Sequence, residues 1–459
     1  MRRISLLSVA FLLLFPAVGQ AAVRIVVRGA GFGHGIGLSQ YGAFGYAQHG
    51  SSYRDILGHY YEGTQISQAS SRPVRVLLQS GRSAVSFRGG IRVSGPGETK
   101  RVSPSRTYVV RQGGGGLVVR NANGKLVGRF ASPVRVPSGQ QAIRLLGGGI
   151  NGVKDGVYHG ALDLQRSGGG VTAINVLPLD WYVQGVVPGE MPSSWSFEAL
   201  KAQAVAARSY ALATINPGAG FDLYPDTRSQ VYRGVGAERP STNAAVRSTA
   251  REILTSGGRV VITYYFSTSG GETENVENSF LGSPARSWLR GVDDPYDGIS
   301  PRHRWRFTFT PRQLQARLGG YVSGRFRKVV VLSRGVSPRV IRARVVGTKG
   351  NRVITGPTLR SRLGLFDSWV FFTRVSTSQA SALRFARAGV LVRRPALVGA
   401  FDPAPRGRKL SLERRRGRQW RHVTTIRTSS HGGYRVSVPA RGVYRVRAGQ
   451  TAGPAVRVR

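Results

Sequence analysis

The most informative stretch of the chain runs from Val187 to Leu212 and reads V-P-G-E-M-P-S-S-W-S-F-E-A-L-K-A-Q-A-V-A-A-R-S-Y-A-L. It places one carboxyl group, that of Glu190, in a Gly/Pro-rich turn immediately before an Ala-rich helix. Because proline interrupts regular hydrogen bonding, the turn keeps Glu190 out of secondary structure, and the helix behind it gives a rigid support. The pattern predicts a general acid at Glu190; the alternative is a solvated turn glutamate without a chemical role.

The helix after this turn is predicted from Ser196 to Thr214. Small and apolar residues recur on one face with helical spacing. Ser196 is the predicted N-cap, and Glu198 lies in the first turn, where the helix dipole favours an anion. The predicted buried face consists of Leu200, Ala204, Ala207 and Ala211.

Composition limits the class of protein. The 459 residues include 67 Lys and Arg but 21 Asp and Glu, a formal net charge of +46, and no Cys. A charge of this size predicts polyanionic surroundings, although arginine usage in a GC-rich genome is an alternative explanation. The absence of Cys excludes disulfides and thiolate metal sites.

The first 21 residues have the pattern of a signal peptide. A basic start, Met1-Arg2-Arg3, precedes an apolar segment and the small-x-small sequence Gly19-Gln20-Ala21. We expect cleavage after Ala21 and a secreted or surface-associated protein; an uncleaved membrane anchor is the alternative. Export also argues against nucleic acid as a partner.

The remaining chain divides by pattern into four parts, and the fold class is predicted to be α+β. Residues 22–70 are an N-terminal Gly-rich segment, 71–170 are β-rich, and 171–375 mix helices and strands. Residues 391–459 alternate apolar and basic side chains and are predicted to form a small antiparallel β-sandwich.

Glu190 and its helix resemble the signature of the SpoIID/LytB family of bacterial cell-wall proteins. Several further motifs agree with that family, and together they cover most of residues 28–375. They are T-R-S-Q-V-Y-R-G from Thr227, T-Y-Y-F-S-T-S-G-G-E-T-E-N from Thr263, S-W-L-R-G-V-D-D-P from Ser287, and the G-H-G-containing segment Gly29–Ala43, which has Leu38 where the family has Met.

The order of these motifs departs from the family pattern. In the sporulation members the G-H-G element follows the S-G-G element, whereas here it precedes every other motif. Chain termini often lie close together, so a circular permutation would keep the element in the same place. The resemblance thus implies a SpoIID-like catalytic domain over 171–375 with residues 22–70 as a permuted part of its core and 71–170 as a β-rich insertion.

The resemblance implies a lytic transglycosylase, which cleaves the MurNAc-β-1,4-GlcNAc bond of peptidoglycan and leaves a 1,6-anhydro sugar. One glutamate suffices as acid and then as base, and Glu190 is the candidate for both. Burial against Trp195 or Tyr210 would raise its pKa. A hydrolase would need a second carboxylate, with Asp180, Glu272 and Glu274 as candidates. The alternative function is a non-catalytic, peptidoglycan-binding enhancer of an N-acetylmuramoyl-L-alanine amidase.

Further residues are predicted to contact substrate, each with a structural alternative. Arg208 is a candidate for a carboxylate or lactyl group, or else a solvated charge. The S-G-G step offers backbone N–H groups to sugar oxygens, or else forms a tight hairpin. His34 is expected to be structural or substrate-facing, because no second ligand stands at metal spacing, and no metal or other cofactor is predicted. The full set is His34, Ser39, Gln40, Arg208, Gln230, Tyr232, Ser269, Gly270 and Gly271, with Gln230 and Tyr232 expected on one face of a strand and Tyr232 alternatively in the core.

A basic run, R-R-R-G-R, extends from Arg414 to Arg418. It is interpreted as a solvated hairpin tip that attracts anionic wall polymers over a Debye length of about 8–10 Å. Peptidoglycan strands, such polymers and a wall amidase are therefore the expected partners.

Overall fold

The computed structural model describes residues 23–70, 72–216, 218, 220–378, 396–401 and 404–458. The chain is strand-rich, with 41% strand and 21% helix in several sheets, none of which closes on itself within the described residues. This agrees with the predicted α+β class. No helix in the described ranges is long and apolar enough to cross a membrane. The predicted signal peptide lies outside the described residues.

The N-terminal segment forms three short strands and two helices. Ser52 caps the second helix and forms a reciprocal capping box with Asp55. The elements are β1 (Val23–Ala30), β2 (Leu38–Ser39), α1 (Gln40–Gln48), α2 (Tyr53–Tyr60) and β3 (Gln65–Gln68).

The next segment is almost entirely antiparallel strands in two six-stranded sheets. Their strand orders are β10-β9-β8-β5-β12-β13 and β4-β15-β14-β11-β6-β7. The strands are β4 (Pro73–Arg82), β5 (Val85–Arg88), β6 (Arg92–Gly95), β7 (Glu98–Arg101), β8 (Thr107–Gly113), β9 (Gly116–Asn121), β10 (Leu126–Phe130), β11 (Val134–Pro137), β12 (Ile143–Leu146), β13 (Val157–Tyr158), β14 (Ala161–Ser167) and β15 (Gly170–Pro178).

Three helices follow β15: α3 (Leu179–Glu190), α4 (Phe197–Ala213) and α5 (Pro240–Ser248). The prediction for α4 is confirmed, with Ser196 at the N-cap and Thr214 at the C-cap, although the Ser196 side chain makes no capping hydrogen bond. The helix is buried on more than its predicted face, because it packs against α1, α2, α3 and α5. It is the central helix of the molecule's largest hydrophobic cluster.

The part that follows α5 brings distant strands together. Strand β1 lies between β19 and β23, so that Val27 faces both Phe307 and Phe372. Strand β18 pairs in parallel with β2, and β20, β21 and β22 form a separate antiparallel sheet flanked by helices. The elements are β16 (Glu252–Ser256), β17 (Arg259–Val260), β18 (Tyr265–Phe266), α6 (Val276–Ser279), β19 (Arg304–Phe309), α7 (Pro311–Leu318), β20 (Phe326–Arg334), β21 (Val340–Gly347), β22 (Asn351–Thr355), α8 (Gly356–Leu363) and β23 (Val370–Ser378).

The C-terminal strands are divided between two sheets. Strand β24 pairs with β23 and with β27, extending the sheet of β1. The others form a sheet with the path β26-β25-β28-β29, in which β30 also pairs with β28. The strands are β24 (Ala396–Ala400), β25 (Lys409–Arg416), β26 (Gln419–Arg427), β27 (Gly433–Ser437), β28 (Gly442–Ala448), β29 (Thr451–Ala452) and β30 (Val456–Val458).

One hydrophobic cluster unites parts of the chain that are far apart in sequence. It contains Ile36 of the N-terminal segment, Val76 of β4, Tyr182 of α3, Leu200 of α4 and Leu254 of β16. The N-terminal segment, the β-rich segment and the helices therefore share a core, which fixes the N-terminal segment beside α3 and α4.

Candidate active site

Glu190 is the last residue of helix α3 and does not lie in a turn, so the predicted turn is wrong. Pro188 is accommodated inside the last turn of the helix, whose preceding residues, including Val186 and Val187, are buried and hold it in place. The chain becomes extended at Met191. Since the C-terminal end of a helix carries partial negative charge, this position disfavours an ionised carboxylate.

The Glu190 carboxyl group is half-buried, and its pKa is raised. Burial is the largest cause. Hydrogen bonds from the Val231 N–H, at 3.2 Å, and from the side chains of Tyr265 and Gln40 act in the opposite direction, as does the positive charge of Arg233. The site thus favours the protonated acid yet supplies donors that can receive the anion once it forms.

A buried hydrogen-bond chain holds Tyr265 in position. The Gln230 amide donates to the Tyr265 hydroxyl at 2.9 Å and to the Ala207 carbonyl oxygen at 3.2 Å. Its Oε1 accepts from the Tyr182 hydroxyl at 3.2 Å. Because Gln230 is 2% exposed, it supports Tyr265 from behind and does not reach solvent.

Gln40 comes to Glu190 from the N-terminal segment. It opens helix α1 and is 7% exposed, and its Nε2 donates to Gln203 Oε1 on α4 at 3.2 Å. The preceding residue, Ser39, caps α1 by accepting from the Gly42 N–H, and the same Oγ accepts from the Ser269 N–H at 3.2 Å. The G-H-G segment and the S-G-G step are therefore joined directly, despite their distance in sequence.

The glycines of the S-G-G step have positive φ angles, +80° at Gly270 and +108° at Gly271, which only glycine adopts easily. Their N–H groups are already used inside the protein. Gly270 donates to Asp297 Oδ2 at 2.6 Å, and Gly271 donates to Ser269 Oγ at 3.0 Å. The step therefore builds the loop and does not present free donors to a sugar, contrary to the prediction.

Tyr182, Tyr210 and Tyr265 lie close enough to Glu190 for its charge to raise their pKa values. The hydroxyl of Tyr210 has its pKa raised to about 12, first by burial and then by the negative charges of Tyr264 and Glu190. Tyr210 and Tyr264 are half-buried, and their ring centroids lie 5.8 Å apart. Trp195, the other predicted neighbour, stacks on Phe44 with centroids 4.6 Å apart.

A family model described as Stage II sporulation protein, SpoIID, matches residues 167–256, which include Glu190, α4 and Gln230. The Stage II sporulation protein D of Bacillus subtilis is 30% identical over 210 residues, 42% of this chain and 60% of that protein. The chain is therefore similar to SpoIID proteins in the region around Glu190.

Two further relatives support the resemblance. The amidase enhancer of Bacillus subtilis is 36% identical over 136 residues, 29% of this chain and 18% of that protein. An uncharacterized protein of Brachyspira hyodysenteriae is 39% identical over 152 residues, 32% of this chain and 38% of that protein. The chain thus spans between 18% and 60% of the length of these three relatives.

Arg208, predicted from the SpoIID/LytB resemblance and its helix to face substrate, is instead fully buried. Its guanidinium pairs with Asp180 at 2.7 Å and donates to the Glu252 carbonyl oxygen at 2.8 Å. Further bonds to the carbonyl oxygens of Ala204 and Val246 complete its environment. Arg208 therefore ties α4 to α3, α5 and β16.

Tyr232 and Gln230 do not lie on a strand, so the predicted alternation is wrong. Tyr232 is 1% exposed, packs against Tyr158 and Tyr182, and donates its hydroxyl hydrogen to Asn175 Oδ1 at 2.7 Å. The core alternative considered for Tyr232 is the one that the structure supports.

His34 is structural. Nδ1 accepts from the Ile36 N–H, and Nε2 lies 3.1 Å from the Tyr265 carbonyl oxygen, so both ring nitrogens have partners. Its pKa is lowered to about 3, chiefly by burial and then by the charges of Arg360 and Arg339. A neutral ring with both nitrogens occupied cannot ligate a metal. The described residues contain no group of three or more His, Cys, Asp or Glu side chains that could hold one.

The candidate second carboxylates have other partners or positions. Asp180 pairs with Arg208, and Glu274 is buried, with Ser337, Asn278 and backbone N–H groups bound to its oxygens. Glu272 has its pKa raised by burial and by the charges of Asp293 and Glu274. None of the described groups that shift the pKa of Glu190 is a carboxylate.

The structure thus brings together Glu190, Gln40 and Gln230 of the predicted set. Sequence reasoning missed Tyr265, Arg233 and the Val231 N–H. Tyr265 lies inside the quoted T-Y-Y-F-S motif, so the motif was the available signal, but nothing in it distinguishes Tyr265 from Tyr264.

Proposed function

We propose that this protein acts on the bacterial cell wall as a peptidoglycan lytic transglycosylase with Glu190 as its acid and base. The observation that carries the proposal is a half-buried carboxyl group with a raised pKa that is held by three hydrogen-bond donors. The relatives named for sporulation stage II and for amidase enhancement support a role at the wall.

In the first step, protonated Glu190 donates its proton to the glycosidic oxygen as the bond to the muramyl C1 breaks. General-acid catalysis of this kind requires the proton to be present at working pH, and burial of Glu190 favours it. The carboxylate left behind is then stabilised by the Val231 N–H, Tyr265 and Gln40.

In the second step, the Glu190 carboxylate takes the proton from the muramyl C6 hydroxyl as that oxygen attacks C1. The products are a 1,6-anhydro end and a free 4-hydroxyl, and Glu190 is protonated again. No water enters. Hydrolytic glycosidases generally use two carboxylates at a set separation. Among the described groups that shift the pKa of Glu190 there is no second carboxylate. The half-buried rings of Tyr210 and Tyr264 suit contact with a sugar face.

The domain organisation that accompanies this proposal has a SpoIID-like catalytic domain at 171–375. Residues 22–70 complete its core from a permuted position, 71–170 form a β-rich insertion, and 391–459 form a small C-terminal β-sandwich. Residues 1–21 direct export, which places the enzyme outside the cytoplasm, in contact with glycan strands. The direct bonds from Ser39 to Ser269 and from Gln40 to Gln203 support assigning the N-terminal segment to the catalytic core.

The test is mass spectrometry of glycan strands digested by wild type and by Glu190→Gln. Wild type should release products with anhydro ends, which lack one water relative to reducing ends. The variant should lose at least about 10²-fold in rate, the lower range of general-acid contributions. Glu62→Gln, an exposed glutamate of the N-terminal segment, is the isosteric control and should keep full activity. A loss below about tenfold, or equal amounts of reducing ends, would contradict the proposal.

A second candidate function, non-catalytic enhancement of a wall amidase, is favoured by the similarity to the amidase enhancer. It predicts that the protein releases no product alone but stimulates an N-acetylmuramoyl-L-alanine amidase. Glu190→Gln would then stimulate as well as wild type. Release of anhydro products by purified protein without amidase excludes this alternative as the sole function.

A further inference from the structure

The outer face of the C-terminal sheet carries charge of one sign. Strands β25, β26, β28 and β30 cover an apolar cluster with their inner face, which includes Leu412, Tyr444 and Val446. Pairing in register places the intervening residues on the opposite, outer face: Arg415 faces Trp420, and Glu413 faces both His422 and Arg445. Side chains on facing positions of antiparallel strands project to the same side.

By register, this outer face carries six basic residues and one carboxylate. The carboxylate, Glu413, is 7% exposed and is enclosed by Arg445 at 2.5 Å and Arg447 at 3.6 Å. The Glu413 carboxylate is therefore already paired within the sheet, and the outer face keeps a strong net positive charge. The basic residues are Lys409, Arg415, Arg427, Arg445, Arg447 and Arg457.

The run from Arg414 to Arg418 lies at the exposed tip of the β25–β26 hairpin, as predicted, but it is one part of a larger basic surface. Arg415 projects to the outer face, whereas Arg414 lies on the inner side, over the Tyr444 ring and bonded to the Arg441 carbonyl oxygen. The run is divided between two faces of the sheet. The positive surface is thus formed across four strands and not by one loop.

The spacing of the basic residues on the outer face suits an extended anion with a repeating charge. Same-face residues along a strand are about 6.6–6.8 Å apart and neighbouring strands about 4.8 Å apart, so the cations form a grid on that scale. Five of the six are arginines, whose planar forks pair with oxyanions through two parallel hydrogen bonds. A linear polymer with one phosphodiester in each short repeat can contact several of them at once.

The side chains of the outer face argue against a nucleic acid and against a membrane as the partner. Its Trp420 ring is half-buried and covered by the Arg445 guanidinium at 4.3 Å, so it offers no free surface for stacking a nucleic-acid base. Membrane insertion favours exposed apolar side chains, whereas Val443, opposite Arg457, is half-buried.

We propose that the outer face of the β26-β25-β28-β30 sheet binds a linear polyanion of repeating phosphodiester groups without bases. Binding there does not use Glu190, so this surface is a site separate from the proposed chemistry. Its role is attachment to a phosphodiester polymer.

The experiment measures binding of the full chain to fluorescently labelled poly(glycerol phosphate) over a series of salt concentrations. The test variant is Arg415→Gln/Arg427→Gln/Arg457→Gln, three exposed positions that leave the pairs of Glu413 intact. The matched control, Arg88→Gln/Arg92→Gln/Arg101→Gln, removes the same charge from exposed positions in the two six-stranded sheets.

The test variant should bind at least about tenfold more weakly, and the slope of log affinity against log salt should fall by about 2, since each lost phosphate contact removes about 0.7. The control should keep the wild-type slope, and both variants should keep the wild-type melting temperature. Equal losses in both variants would show that net charge alone matters and would overturn the proposal. Tighter binding of polygalacturonate, single-stranded DNA or anionic vesicles than of poly(glycerol phosphate) would also overturn it.

Discussion

Glu190 experiences two opposing influences, and their balance makes the protein's stability depend on pH. Burial and the helix C-terminus favour the neutral acid, while Val231, Tyr265, Gln40 and Arg233 favour the anion. Since the net pKa is raised above the ordinary value of 4.5, the folded state binds the proton more tightly than the unfolded chain does. Wild-type stability therefore includes a contribution that is full below pH 4.5 and is lost as pH rises through the raised pKa.

Glu190→Gln should consequently gain stability relative to wild type as the pH rises. Glutamine does not ionise, and its Oε1 can still accept from the Val231 N–H. The free energy of unfolding of Glu190→Gln minus that of wild type should grow from pH 4.5 upward and become constant above the pKa of Glu190 in the folded state. Urea denaturation at a series of pH values measures it. A flat difference for Glu190→Gln would contradict a raised pKa.

The contact of Tyr265 with Glu190 cannot be predicted from the sequence. Its hydroxyl receives a hydrogen bond from Gln230 and also lowers the pKa of Glu190, so it links the acid to the core. Tyr265 lies in β18, Gln230 in the loop before α5, and Glu190 at the end of α3. Only the folded chain brings them together.

Helix α4 depends on Arg208 for its position. This side chain has no exposed surface and binds one carboxylate and three backbone carbonyl oxygens, two of which lie on neighbouring elements. Breaking a buried pair leaves several groups without partners, which is far more costly than breaking an exposed one.

Arg208→Met should therefore lower the free energy of unfolding by about 2–4 kcal/mol. The matched control is Arg228→Met, which breaks an exposed pair of the same 2.7 Å length with Asp226 and should cost less than about 1 kcal/mol. Denaturant titration of both variants measures the effects. Unchanged stability in Arg208→Met, with weaker substrate binding, would restore the original interpretation of Arg208 as a substrate contact.

The sequence predicted elements better than it predicted contacts. The bounds of α4 depend on local spacing, and they are confirmed. The turn at Glu190 is predicted from Gly189 and Pro192 on either side of it, but tertiary burial of α3 keeps the chain helical through Pro188 and Gly189 as far as Glu190. Gln230 and Tyr232 were misread as a strand because alternation alone cannot distinguish a strand from a buried loop.

At the scale of the whole molecule, the C-terminal segment is joined to the sheet of β1. Strand β24 pairs with β23 over five positions, from Arg374 opposite Ala400 to Ser378 opposite Ala396. Its Leu397 and the following Phe401 are buried. Removing this segment would expose the edge of β23 and would also remove the basic face.

A chain ending at residue 378 should melt roughly 5–10 °C below the full chain, since a few kcal/mol of strand pairing and apolar burial are lost. Differential scanning calorimetry measures the midpoint. The Arg415→Gln/Arg427→Gln/Arg457→Gln variant is the control and should melt like wild type. An unchanged midpoint in the shortened chain would show that residues 396–458 contribute no stability to the rest.

The position of β1 also determines when the molecule can become complete. Its partners, β19 and β23, are translated hundreds of residues later, whereas Gln40 lies 150 residues before Glu190 and Tyr265 lies 75 residues after it. Such non-local pairing must overcome the loop-closure entropy of the intervening chain and is formed slowly. A nascent chain therefore has an N-terminal segment without its sheet until β19 and β23 are translated. The groups that contact Glu190, from Gln40 to Tyr265, are all translated before β19, so the surroundings of Glu190 and the sheet of β1 become complete at different stages of synthesis.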